Sequence, residues 1–295
     1  MSVKGKIVTD MIRFFTSQKM LGPKIQDGTL RKNLVEPPWH CSDEYLNLPI
    51  HMRQFEMELL TPKAADNGEV VLQLHGGGYI AKIRNAYRDF AVRYSKIDQY
   101  RVLSVDYRVA PQHPYPAAFQ DAIEAYRWLL YSGFSGDRII LAGDSAGGGL
   151  VLALAMYLRD QSMPLPKKLV MMSPWTDLTA SGPSYQENYE NDPLFGNTRE
   201  SMIYNGEYAG KQDPKLPYIS PLFGDFHGLP PMLFQVGSLE MLLSDSVLAA
   251  QKAKEAGCDV TLTVYQDMFH VFQLSMDKLA ESRAAWDEVA AFLGK

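Results

Sequence analysis

This 295-residue chain has little cysteine, little histidine and no surplus of positive charge. Its two cysteines, Cys41 and Cys258, cannot build a disulfide framework, and no motif surrounds either that would mark a nucleophile. Lys and Arg number 29 against 34 Asp and Glu, a net charge of −5, so there is no basic footprint for nucleic acid. Long hydrophobic runs are missing too. The longest apolar stretch, Leu150 to Leu158, falls far short of the ~20 residues that a membrane span needs. The apolar stretch from Ile7 to Phe15 is interrupted by Asp10 and Arg13. It is therefore not a signal-peptide core and reads as an amphipathic helix. Internal repeats and low-complexity segments are absent. Together these absences lead to the expectation of a cytoplasmic protein with no nucleic-acid partner and no membrane span.

What is present is enough apolar sequence, 46% of residues, for a two-faced α/β core. From Val70 onward strand-like runs alternate with helix-like ones. The runs lie near 70–74, 101–106, 138–142, 168–172, 231–236 and 259–265. Such alternation predicts a mostly parallel central sheet flanked by helices. Residues 54–60 add an edge strand. Residues 1–45 and 180–225 fall outside the alternation. They are expected to form a small helical cap in two parts over a core made of 46–179 and 226–295, since a long insertion at the end of a strand is commonly functional.

The strongest single motif is Gly143-Asp144-Ser145-Ala146-Gly147, between an apolar strand and a helix predicted over Gly148 to Arg159. A serine on a tight strand-to-helix turn has its Oγ forced out above the sheet, and the turn needs small neighbours. The helix N-terminus supplies N–H groups and a positive dipole end for a developing oxyanion. A nucleophilic serine then calls for a base, an acid that orients the base, and oxyanion donors.

Only His227 and His270 follow Ser145 among the six histidines. His270 sits just past the strand-like run Val260 to Tyr265, where a base must be to reach a serine at the carboxyl ends of strands. His227 could serve only if acid and base were reversed in chain order. For the acid, two candidates follow the strand that ends at Gly237. Glu240 lies nearer the strand end and has an extra methylene of reach. Asp245 falls in the first turn of a helix predicted over Ser244 to Glu255, where an acid is commonly a dipole-favoured helix start. Glu240 is favoured and Asp245 stays open. His75-Gly76-Gly77-Gly78 follows the strand near 70–74, and successive glycines let backbone N–H groups approach a ligand. The oxyanion donors are expected to be the N–H groups of Gly77, Gly78 and Ala146. His75 is expected to brace the loop, and Asp106 and Arg108 to be paired scaffold. Tyr79, Trp175, Leu178, Met202 and Val271, with Phe14, Phe15 and Ile80, are expected as apolar lining of a substrate pocket.

These residues together resemble the hormone-sensitive-lipase-like family of α/β-hydrolases, in its bacterial esterase branch with the Gly-Asp-Ser-Ala-Gly elbow. The segments Asp106 to Ala118 and Ser173 to Asp177 are similar to the family as well. The resemblance runs from about Val70 to His270 and implies an α/β-hydrolase fold with a cap. It also implies Ser145 as nucleophile and His270 as base. The family's acid is usually aspartate, but one branch has glutamate where Gly237-Ser238-Leu239-Glu240 stands here. The implied reaction is hydrolysis of short- to medium-chain carboxylic esters without metal or organic cofactor. Triad chemistry alone suits an amidase, arylformamidase or small peptidase equally. The family also includes non-catalytic small-molecule receptors, which lack the histidine. A single sequence does not decide between a monomer and a homodimer paired through an edge strand.

Overall fold

The computed structural model describes residues 2–15, 36–195 and 207–294. Eight strands form one sheet in the order β1-β2-β4-β3-β5-β6-β7-β8. They are β1 Tyr45–His51, β2 Glu56–Pro62, β3 Val70–Leu74, β4 Arg101–Asp106, β5 Ile139–Asp144, β6 Lys168–Met172, β7 Met232–Gly237 and β8 Val260–Tyr265. β1 and β2 pair antiparallel, β2 joins β4 antiparallel, and every other pairing is parallel. The expected mostly parallel central sheet is therefore the observed one. The expected edge strand is β2, and β1, which lies outside it, was not anticipated. Its residues Tyr45-Leu46-Asn47-Leu48-Pro49-Ile50 alternate weakly and include a proline, which is tolerated at a sheet edge.

Among the described residues the helices are α1 Val3–Phe15, α2 Asn85–Asp98, α3 Ala117–Tyr131, α4 Ser145–Asp160, the single turn α5 Ser184–Glu187, α6 Leu243–Glu255 and α7 Ala280–Leu293. The central strands are short runs of Val, Leu and Ile because both faces are covered. Alternate side chains serve opposite layers. Val70, Leu72 and Leu74 of β3 pack with α3, α4 and α6 on one side. Val71, with Ile140 and Ala142 of β5, packs with α2 and α7 on the other. α4 is apolar around most of its circumference and almost wholly buried, as the innermost helix must be.

The strand order places the site. The chain leaves β3 toward β4 on one side and returns to β5 on the other, so the connections diverge between β3 and β5. Their ends are paired, Leu74 opposite Gly143. Such a divergence opens a crevice at the carboxyl ends of the strands. The turns after β3 and β5 therefore meet there. The turns after β7 and β8, with Gly237 opposite Tyr265, reach in from the neighbouring edge.

Two scaffold pairs hold the loops below. Arg108 binds Asp121 through paired contacts, the shortest 2.6 Å. Asp106 accepts the Ile83 N–H at 3.0 Å and faces Lys82. Both residues are thus paired, though with other partners than each other.

The β5–α4 turn leaves no spare volume. A Cβ on Gly147 would stand 2.0 Å from the Leu74 carbonyl oxygen. Gly147→Ala should lower the unfolding free energy by about 1–3 kcal/mol, the usual penalty for overpacking. Urea denaturation measures this, and an unchanged midpoint would contradict the close approach of β3 and the elbow.

Candidate active site

Ser145 takes φ +51°, a left-handed conformation rare for any residue with a Cβ. Extended β5 must turn into α4 within one residue, and this strain of about 1–3 kcal/mol is retained only because packing on all sides enforces it. The side chain is 8% exposed. Its Oγ lies 2.9 Å from His270 Nε2. His270 Nδ1 lies 2.8 Å from Glu240 Oε2. Glu240 is 0% exposed, and its other oxygen accepts the Ser173 hydroxyl at 2.7 Å and the Gly237 N–H at 2.5 Å. A carboxylate accepts only, so Nδ1 carries the proton and Nε2 presents its lone pair to the Ser145 hydroxyl. That is the tautomer a general base needs.

Burial alone would push the His270 pKa down. The hydrogen bond and charge of Glu240, then the charges of Asp192 and Asp144, outweigh it and carry the pKa above 6.5. The imidazolium is thus better supported here than in water.

Of the two acid candidates the structure brings Glu240, not Asp245, to the imidazole. Asp245 stands in the first turn of α6, as the helix-start reading had it. Its carboxylate accepts the N–H groups of Thr176 and Asp177 at 2.7 and 2.8 Å. Burial pushes its pKa up to about 8. His227 is exposed on the far loop and pairs with Asp225.

The glycine loop after β3 stands against the elbow. Gly77 and Gly78 have φ +119° and +63°, which glycine adopts without penalty. Asp144 ties the loop down: Oδ1 accepts the Gly76 N–H at 3.0 Å and Oδ2 the Tyr87 hydroxyl at 3.2 Å. Burial raises the Asp144 pKa to about 7. His75 braces the same loop. Its Nδ1 donates to the Gly76 carbonyl at 2.7 Å, and its ring stacks on Tyr107 at 4.1 Å. Ala146 opens α4, so its N–H belongs to the first helical turn.

The expected pocket residues divide. Tyr79 and Trp175 are buried beside the elbow. Tyr79 stacks on Tyr208 at 3.7 Å, and the Trp175 backbone N–H donates to the Ser145 carbonyl at 2.8 Å. Val271, also buried, gives its N–H to Ser173 Oγ, and Leu178 gives its N–H to Ser220 Oγ. Phe14 is exposed on α1, and Ile80 is half-buried. Met202 lies outside the described residues, as does the side chain of Phe15.

Four contributors carried no assigned role in the sequence: Ser173, Asn188, Asp192 and Phe195. Ser173 lies in a segment similar to the family, but a lone serine before proline signals nothing. The Phe195 ring lies 4.9 Å from the His270 ring, and nothing in the pattern around it marks that contact. Among the described residues no cluster of three or more His, Cys, Asp or Glu could hold a metal ion, and no helix is long and apolar enough to cross a membrane.

A family model described as alpha/beta hydrolase fold matches residues 71–274. An acetyl-hydrolase of Streptomyces hygroscopicus is 39% identical over 230 residues, spanning 78% of this chain and 77% of that protein. An esterase of Acinetobacter venetianus is 35% identical over 224 residues, 76% of this chain and 74% of its own length. A crystal structure described as an esterase from the bacterial hormone-sensitive lipase (HSL) family superposes with a TM-score of 0.86. Its identity is 35%, over 99% of this chain and 98% of that one.

The geometry makes the reactivity of Ser145 depend on a neutral imidazole. Labelling of Ser145 by a fluorophosphonate should be fast near about pH 8 and fall as the pH drops through one ionisation, since the protonated ring has no lone pair to offer. That ionisation should lie above 6.5. Mass spectrometry reads the labelled fraction, and a rate independent of pH would sever Ser145 from His270.

Proposed function

From the premise that this chain belongs to the α/β-hydrolase family, in its hormone-sensitive-lipase-like branch, we propose that it is a serine carboxylesterase acting on short- to medium-chain carboxylic esters. The observation that carries this is the continuous buried chain Ser145–His270–Glu240, with contacts of 2.9 and 2.8 Å.

The reaction runs in two steps. His270 Nε2 takes the Ser145 proton as Oγ attacks the ester carbonyl. The carbonyl oxygen becomes an oxyanion, held by the N–H groups of Gly77, Gly78 and Ala146. Glu240 keeps its charge throughout and stabilises the imidazolium; it does not take the proton. The tetrahedral intermediate collapses, and His270 returns the proton to the departing alcohol. Water, deprotonated by the same imidazole, then releases the acid from the acyl-enzyme and restores Ser145. No step calls for a metal or organic cofactor.

In this reading residues 1–45 and 180–225 form the cap over the core of 46–179 and 226–295. Tyr79, Trp175, Leu178 and Val271, with Met202, bound the substrate. The acetyl-hydrolase name of a relative supports a short acyl group. Cytoplasmic residence and a homodimer through β1 or β8, the two outermost strands of the sheet, complete the proposal. Analytical ultracentrifugation tests the last point.

Hydrolysis of p-nitrophenyl esters from acetate to palmitate should favour the short chains and vanish in Ser145→Ala. Glu240→Gln should lower kcat by about 10²–10⁴, because the imidazole loses both its tautomer and its counter-charge. Wild-type activity on matched anilides but not on esters would move the assignment to an amidase. Full activity in Glu240→Gln would remove that residue from the mechanism.

A further inference from the structure

Glu240 does not sit on a strand or a helix. It rides on the turn Ser238–Leu242 between β7 and α6. A carboxylate that must hold an imidazole to within tenths of an ångström needs its backbone held from outside. On one side the end of β8 and the loop after it hold it, accepting the N–H groups of Ser238 and Leu239 at the Tyr265 and Met268 carbonyls, 2.9 and 3.1 Å. On the other side the contacts come from residues 184–195. The Ser184 hydroxyl donates to the Met241 carbonyl at 2.6 Å. The Asn188 amide donates to the carbonyls of Ser238 and Glu240 at 3.0 and 2.8 Å. Four residues on, Asp192 Oδ2 accepts the N–H of Met241 at 2.8 Å. Its Oδ1 accepts the N–H groups of Leu194 and Phe195 at 2.8 and 3.1 Å. The Asp192 side chain is 0% exposed.

A buried carboxylate is costly and is tolerated where donors surround it. Here one oxygen grips the acid's turn and the other shapes the backbone that carries Phe195, whose ring lies against His270. We propose that Asp192 is a positioning residue. It docks segment 184–195 onto the Glu240 turn, holds Glu240 in register with His270, seats the Phe195 ring over the imidazole, and adds a second negative charge behind the imidazolium. The inference rests on reading Ser145, His270 and Glu240 as an ester-hydrolysing triad.

Charges reach His270 from three elements: Glu240 from the turn after β7, Asp144 from the end of β5, and Asp192 from this segment. Asp144 is committed to the glycine loop, and Glu240 touches the ring. Asp192 is the one that joins the acid's turn to the segment over the imidazole. Burial raises its own pKa, while its three N–H donors and His270 favour the charged form. Asparagine at this position would keep the shape but turn an NH2 group toward backbone N–H donors on one side. It would also remove the charge.

The test uses Asp192→Asn and Asn188→Ala in the full chain. Two quantities are followed against pH: kcat and KM on p-nitrophenyl acetate, and the His270 imidazole resonance by NMR, assigned with His270→Asn. Asp192→Asn should lower kcat by about ten- to a hundredfold with a smaller change in KM, as misalignment of a catalytic group does. It should also lower the imidazole pKa by about half a pH unit or more, since a nearby negative charge is gone. Asn188→Ala, which loosens the turn but keeps every charge, should cost kcat several-fold and leave the pKa in place. A folded Asp192→Asn variant with wild-type kcat and an unmoved imidazole overturns the proposal. If Asp192→Asn does not fold, wild-type kcat in both Asn188→Ala and Phe195→Leu overturns it instead. A wild-type protein inactive on every ester would defeat the triad reading, while the NMR titration would still decide whether Asp192 acts on His270.

Discussion

The space between the end of β3 and the first turn of α4 is the constraint on which the site depends. A Cβ on Gly147 would stand 2.0 Å from the Leu74 carbonyl oxygen, and one on Gly143 would stand 2.5 Å from the Gly147 carbonyl oxygen. With both positions bare, β5 turns into a helix in a single step, and Ser145 is left at φ +51° at the apex. The same approach brings the loop after β3 to the N-terminus of α4. The loop and the helix start, which carry the oxyanion donors of the proposed mechanism, are thereby held side by side, with the helix dipole behind them. Loosening this contact would displace nucleophile and loop together, so the strain at Ser145 and the glycines around it form one device.

Around that device the buried acids are kept apart by what each one accepts. Asp144 takes a backbone N–H and a tyrosine hydroxyl, and Asp245 takes two backbone N–H groups. Those bonds make both of them anchors for loops, and burial lifts their pKa values to about 7 and about 8. Among the described residues Glu240 is the acid that meets the imidazole. Low local polarity strengthens each of these bonds and penalises any donor left unpaired. A buried carboxylate therefore fixes a loop in two places and meets the imidazole in a third, and the neighbours decide which.

Much of this is written locally in the chain. Short apolar runs at 70–74, 101–106 and 168–172 became strands at those positions, because a buried parallel strand needs only a few β-branched or leucine residues. The elbow, the glycine loop and the histidine after β8 were legible for a similar reason. Each is a contiguous motif at a strand end, and chain order says which should meet. Other features were not legible. β1 has a proline and a ragged pattern, and its pairing is set by β2 rather than by itself. Ser173, Asn188, Asp192 and Phe195 act through contacts 49 to 98 residues away along the chain. Hydrogen bonds at such separations leave no periodicity to read. Between Glu240 and Asp245 local sequence favoured on reach the residue that stands beside the imidazole, and only the fold shows that Asp245 is spoken for by the turn after Trp175.

The choice of glutamate follows from that same turn. The backbone leaves β7 at Gly237 and folds back so tightly that the Glu240 carboxylate accepts the N–H of Gly237 itself, three residues earlier. A Cβ on Gly237 would meet the Met268 carbonyl oxygen at 2.2 Å, so the loop carrying His270 is pressed against this point from the other side. The acid must reach back along its own turn and still present a second oxygen to Nδ1. An aspartate on the same backbone would lack one methylene of that reach. It would satisfy the Gly237 N–H or the imidazole, but not both without moving the turn. Moving the turn would break its contacts to Asn188 and Asp192. The longer acid, the tight exit from β7 and the clamp on the turn are thus one solution, and an aspartate would require all three to change together.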